Sequence, residues 1–181
     1  MSGPRLLLAI LVLSVSPAPV CAADRDPALT AAIAAELSRP FLLTIFDDVH
    51  VGVGDGVVRL TGRVTSPSKR DAIARRIARL AQVREVRNGI AVLPISASDD
   101  DLRHRIARGI YGNASFWNYA AMAQPSIRII VERGHVTLAG TVRNEADRAL
   151  ARALATQFGA RSVTVTLRTD AERREARGTS E

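Results

Sequence analysis

One cysteine, one tryptophan, one lysine, two methionines and three histidines are all that 181 residues contain of these types. The lone Cys21 excludes an internal disulfide and any cysteine-built metal site. His50, His104 and His135 stand far apart, with no H-x-x-x-H spacing, and no nucleophile motif surrounds the scattered serines and aspartates. The sequence therefore reads as non-enzymatic, with no metal and no cofactor. Aromatic residues make up 4% of the chain, so any core must be built from aliphatic side chains. Acids are short as well: 18 face 25 basic residues, a net charge of +7, and every base except Lys69 is arginine. The longest apolar run, Leu6 to Val15, is shorter than the roughly 20 residues needed to span a bilayer.

That run follows Arg5 and precedes Pro17, Pro19 and "VCAA", Val20 to Ala23. A positive start, an apolar stretch and small residues at alternate positions describe a secretory signal peptide over residues 1–23, cut after Ala22 or Ala23. Cys21 offers lipoprotein anchoring as a less favoured alternative, because Val20 and Ala18 stand where a small residue and a leucine are usual. Export shifts the meaning of the positive charge. Nucleic acid is not the expected partner; an anionic membrane surface or a cell-wall polymer is.

What is present is a repeat. "VHVGVGDGVVRLTGRV", residues 49–64, aligns with "IRIIVERGHVTLAGTV", residues 127–142, at a constant offset of 78. The glycines of the first copy raise the question of a phosphate loop. The second copy keeps only the one at the turn, and alternating strand residues follow instead of a helix, so that reading fails. "GDG" and "ERG" are hairpin turns. Gly56, Gly62, Gly134 and Gly140 recur in register and read as structural turn glycines.

Upstream, Leu29, Ile33 and Leu37, and again Leu102, Ile106 and Ile110, fall at helical spacing, with Asp26 and Asp99 to Asp101 at the helix starts. Downstream, Ser66-Pro67 and Asn144 open second helices, with stripes Ile73, Ile77, Leu80 and Ala81, and Leu150, Leu154 and Phe158. A last strand closes each copy. The fold class is thus α+β: two tandem small domains, each α-β-β-α-β, with a three-stranded mixed sheet covered on one face by two helices. The first domain spans residues 26–93, a linker 94–98, and the second 99–168; the polar tail 169–181 is expected to be disordered.

The pattern V-x-V-x-x-G-x-V-x-L-x-G-x-V, followed by a helix and a closing V-x-x-V-x-N-x-(I/L), resembles the BON domain. The first copy carries all of it, with Asn88 in "VREVRNGI"; the second has Val165 where the asparagine is expected and Gly159-Ala160 where a Gly-Val pair is usual. Two copies after a signal peptide are similar to the osmotically induced periplasmic members of that family. The resemblance implies a periplasmic protein that binds phospholipid at the envelope and catalyses nothing.

Two stretches are candidates for such contact. Residues 67–87 hold seven basic residues against Asp71 and Glu85, and Arg75, Arg76 and Arg79 fall away from the apolar stripe. "IYGNASFWNYAAM", residues 110–122, holds Tyr111, Phe116, Trp117 and Tyr119, four of the seven aromatics, and reads as an extension of a helix whose polar side carries Arg103, Arg105 and Arg108. The expected lipid-binding set is Trp117, Phe116, Tyr119, Arg103, Arg108, Arg75, Arg76 and Arg79, docking on anionic phospholipid with Trp117 as wedge. The plainer alternatives are a solvated arginine face and rings that cap a core short of large side chains. A protein-interaction scaffold, using an open sheet face on an envelope protein or on the chain's own copies, and a cell-wall-associated adaptor stay open; the oligomeric state is not determined.

Overall fold

The computed structural model of the protein describes residues 27–39, 42–122 and 125–178. The signal peptide, Cys21 and Asp26 lie outside them. The first unit runs α1 (Pro27–Leu37), β1 (Asp48–Gly54), β2 (Val57–Val64), α2 (Pro67–Ile77) and β3 (Glu85–Val92). The second runs α3 (Ala97–Tyr111), a 3-10 turn (Ala114–Phe116), a short α4 (Trp117–Ala120), β4 (Ile127–Glu132), β5 (His135–Val142), α5 (Glu145–Thr156) and β6 (Ser162–Thr169), and α6 (Asp170–Gly178) follows. Each unit has its own three-stranded mixed sheet, ordered β1-β2-β3 and β4-β5-β6. The hairpin pairs are antiparallel and the last strand is parallel to the middle one.

Register follows the sequence alternation. Val51 faces Leu60 and Ile129 faces Leu138, and in the parallel ladders Leu60 meets Asn88 where Leu138 meets Val165. The hairpin turns need positive φ at both central residues, and Asp55-Gly56 and Arg133-Gly134 supply it. Gly62 and Gly140 are not turn residues. They sit inside β2 and β5 at φ +119 and +115, where a Cβ would lie 2.1 Å from the Asp48 carbonyl oxygen and 1.8 Å from that of Ser126. Close approach of the neighbouring backbone, not a turn, fixes glycine there.

The cores lie between sheet and helices. Leu29, Ile33, Leu60, Ile73 and Ile77 are fully buried in the first, and Ile106, Ile110, Ile129 and Leu138 in the second. Two stripes differ from expectation. The helix α2 stops at Ile77, so Ala81 is exposed. On α5 the fully buried residues are Ala151 and Ala155, while Leu150, Leu154 and Phe158 flank them, half-buried. Small residues at the centre of α5 let it lie close against the sheet and α3.

The tail is also ordered beyond expectation. Residues 170–178 form α6, started by a capping box: the Thr169 hydroxyl accepts from the Glu172 N–H at 3.2 Å, and Glu172 accepts from the Thr169 N–H at 2.7 Å. Arg148 on α5 then ties Glu172 down at 3.1 Å.

The units touch. The Ile129 N–H on the β4 edge donates to the Ile45 carbonyl at 2.7 Å. Phe46 packs against the second core and meets the His104 ring edge-on at 4.9 Å. Arg63 pairs with Glu132 at 3.1 Å, and Arg128 lies 3.6 Å from Asp48.

Candidate functional site

The strand offset of 78 falls to 73 between Leu29 and Leu102, so the second unit carries five extra residues between its first helix and first strand. Those residues build the aromatic stretch. It does not extend α3 as the periodicity suggests. The helix ends at Tyr111 with Gly112 as cap, and Asn113 then caps a separate turn by accepting from the Ser115 N–H at 3.0 Å. The break redistributes the rings. Phe116 and Tyr119 turn inward and are buried, and Tyr111 is half-buried with its hydroxyl on the Ile127 carbonyl. Trp117 is 68% exposed and Met122 46% exposed, with Ala120 and Ala121 exposed between them. The outcome is a short apolar projection standing on two buried rings.

Polar bonds hold its base. The Tyr119 hydroxyl donates to the buried Asp147 carboxylate at 2.7 Å and accepts from the Arg143 N–H at 2.7 Å. The Arg143 guanidinium lies 5.4 Å from the centre of the Tyr119 ring, donates to Asp147 at 3.1 Å and reaches the Ser115 carbonyl at 3.3 Å. Burial, and then the bond to Asp147, push the Tyr119 phenol above its ordinary range. The phenol stays protonated and acts as a tether, not as a reactive group.

Three of the eight expected contact residues are therefore not on the surface. Phe116 and Tyr119 are core, and Arg103 is buried with one end on Asp100 and the other donating to the Val131 carbonyl at 3.1 Å. Helical spacing put Arg103 on the polar side, but it lies next to the buried Leu102 and its long stem reaches β4. Arg108, in the last turn of α3, is exposed. Arg75, Arg76 and Arg79 are exposed on the other unit; Arg75 and Arg76 close the last turn of α2, where a positive charge suits the helix dipole, and Arg76 lies 3.6 Å from Glu36. The structure thus leaves Trp117 on the projection, Arg108 in the last turn of α3 and the three arginines of the other unit apart from both, and it adds Arg143 at the base of the projection. Arg143 and Met122 were missed by the sequence reading. Arg143 occupies the place of Thr65 in the repeat, and that change from a small polar residue to arginine was the available signal.

Among the described residues no group of histidine, cysteine and carboxylate side chains could hold a metal ion, and no helix is long and apolar enough to cross a membrane.

The BON domain family matches twice, over residues 25–94 and 98–171. No curated protein sequence matches. Among solved structures, the chain is similar to CdsD, a structural protein of the type III secretion system of Chlamydia trachomatis, at 12% identity and a TM-score of 0.29, over 85% of this chain and 99% of that one. It is also similar to the C-terminal domain of CdsD, at 13% identity and a TM-score of 0.29, over 77% of this chain and 64% of that one. With both units matched over nearly their whole length, the chain belongs to the BON-domain family and carries the domain twice in tandem.

Proposed function

We propose that this protein is an exported, non-enzymatic envelope protein that docks on anionic phospholipid through the Trp117 projection, in support of envelope integrity or osmotic stress tolerance. The observation that carries the reading is the exposed Trp117-Met122 tip, an insertion present in one unit and absent from the other. An indole that buries half of its roughly 250 Å² in the interfacial region gains about 3 kcal/mol. Each arginine near an anionic surface adds about 1 kcal/mol, reduced by salt. Arg143 at the base of the tip supplies that addition, and Arg108 on α3 and Arg75, Arg76 and Arg79 on the other unit are separate sources. Phe116 and Tyr119 contribute by stiffening the tip from below, so little ordering entropy opposes its insertion.

Co-sedimentation with liposomes tests this. The expected outcome is pelleting with phosphatidylglycerol vesicles, weak pelleting with zwitterionic vesicles, relief by 0.5 M salt, and loss in Trp117→Ala. Equal pelleting of Trp117→Ala and the parent chain, or none with either lipid, would overturn the reading and turn attention to a protein partner.

A further inference from the structure

A groove of about 900 Å³ opens between the two units. Its floor is the outward face of the second sheet, where Ala139, Gly140, Thr141 and Thr166 keep side chains small. Asp48 and His50 from β1 form one wall, and β6 and α6 bring Arg168 and Arg173 to it. Arg128 and Arg148 complete the lining, so four arginines face two acids, Asp48 and Glu172.

The acids are already engaged. Glu172 is tied to Arg148 at 3.1 Å and to the Thr169 N–H at 2.7 Å. Asp48 has His50 at 3.0 Å on one oxygen, while its other oxygen is buried without a hydrogen bond, 3.6 Å from the Arg128 guanidinium. Arg148 is likewise consumed, by Glu145, Glu172 and the Leu167 carbonyl. What remains is Arg128, too far from Asp48 to hydrogen-bond it, with Arg168 and Arg173, whose side chains make no hydrogen bond or ion pair among the described residues. Arg128, Gly140, Thr141 and Arg173 also line an adjoining hollow of about 370 Å³, so the groove continues past them beneath residues 43–45.

We infer that this groove binds a phosphate ester carrying a small hydrophilic group. Arg128, Arg168 and Arg173 are the phosphate ligands, and the small polar floor takes the remainder. Guanidinium forks pair with carboxylate and phosphate alike, but a phosphate monoester presents three charged oxygens to a set of three arginines where a carboxylate presents two. The groove admits a headgroup-sized molecule with room to spare, so its arginines and not its volume select the ligand. The inference does not depend on membrane docking at Trp117. The same chemistry could arrive as a soluble polyol phosphate or as the headgroup of a lipid.

The test is a titration of the full chain followed by amide NMR. The probes are glycerol 1-phosphate, glycerol as control, and phosphatidylglycerol with short acyl chains below its micelle concentration. Glycerol 1-phosphate is expected to shift the amides of His50, Ala139, Thr141 and Thr166, and glycerol is not. Arg168→Glu/Arg173→Glu changes two exposed side chains that are unpaired among the described residues and should weaken binding at least tenfold while leaving the rest of the spectrum unchanged. Shifts with the short-chain lipid alone would support the site and assign its ligand to a headgroup. No shift at these residues with either phosphate probe, or binding that survives the double substitution, would overturn the site. Trp117→Ala separates the two proposals: it should abolish vesicle pelleting and leave the titration unchanged.

Discussion

Lys69 is the only lysine in an arginine-rich chain, and its place shows why arginine would not serve. Its ammonium lies 2.5 Å from the fully buried Asp47 carboxylate, 2.9 Å from the Thr65 hydroxyl and 3.4 Å from that of Thr44. Three oxygens converge on one point, which a compact ammonium fills and a planar fork does not. Asp47 also accepts from the Thr44 and Thr65 N–H groups, both within 2.8 Å. Burial alone would raise its pKa, but Lys69, Thr44 and Thr65 together hold it below the ordinary value. The second unit solves the same problem with the charge reversed. Lys69 and Asp147 occupy the same helix position in the repeat, and there Asp147 receives the Tyr119 hydroxyl. Asp47→Ala strands the Lys69 ammonium and should cost roughly 3–5 kcal/mol in denaturant unfolding. Because the folded pKa is depressed, this stabilisation is present above about pH 4 and is lost as pH falls through the lowered folded value. An Asp47→Asn variant should accordingly show a flatter loss of stability in acid than the parent chain. Tyr119→Phe removes one hydroxyl that satisfies two partners and should cost about 1–3 kcal/mol. Trp117→Ala, at an exposed position, should stay within about 0.5 kcal/mol. A large loss of stability in Trp117→Ala would show that the ring is structural and not a contact residue.

At the scale of elements, the strands were legible because alternation has one meaning. Val49, Val51 and Val53 can face only one way once Val58 and Leu60 oppose them, and the two-residue turns fix the register. The first helix of each unit was equally legible from its stripe. The aromatic projection was not, because an unbroken helix would carry the Leu102, Ile106 and Ile110 stripe on to Trp117 and leave Phe116 and Tyr119 off it; the Gly112-Asn113 break reverses which rings turn in and which out. The same break explains why the candidate site was only half readable: exposure of Trp117 and burial of Phe116 depend on a cap whose effect is tertiary. The helix α6 was missed for a different reason. Its composition is that of a solvated tail, and the Thr169-x-x-Glu172 box that starts it is four residues long. Thr169→Ala should remove about 1 kcal/mol of capping and release α6, read as a loss of helical circular dichroism and faster amide exchange over residues 170–178. The helix also walls the interdomain groove, so the same variant should weaken glycerol 1-phosphate binding there.

For the whole molecule, the question is what makes two similar units one body. Arg63–Glu132 joins groups that are 54% and 35% exposed, and pairs of that kind contribute between nothing and about 1 kcal/mol. Arg128 and Asp48, at 3.6 Å, add no hydrogen bond. Among the described residues the units are also joined by the backbone bond from Ile129 to Ile45 and by the Phe46 ring, half-buried against the second core and His104. A fully buried phenylalanine is worth about 3–5 kcal/mol on truncation, so a half-buried one carries about 2 kcal/mol, more than the ion pairs together. Coupling between the units should therefore be apolar in character. Calorimetry of the parent chain should give melting that 0.5 M salt leaves in shape. Phe46→Ala should split it into two transitions, with the second unit the more destabilised because its core loses the ring. Salt that splits the transition in the parent chain would instead assign the coupling to Arg63, Glu132 and Arg128. The distinction reaches the groove, whose one wall is Asp48 and His50 of the first unit: Phe46→Ala should change the His50 amide shift on glycerol 1-phosphate titration, while the second-unit shifts at Ala139, Thr141 and Thr166 and vesicle pelleting through Trp117 stay intact.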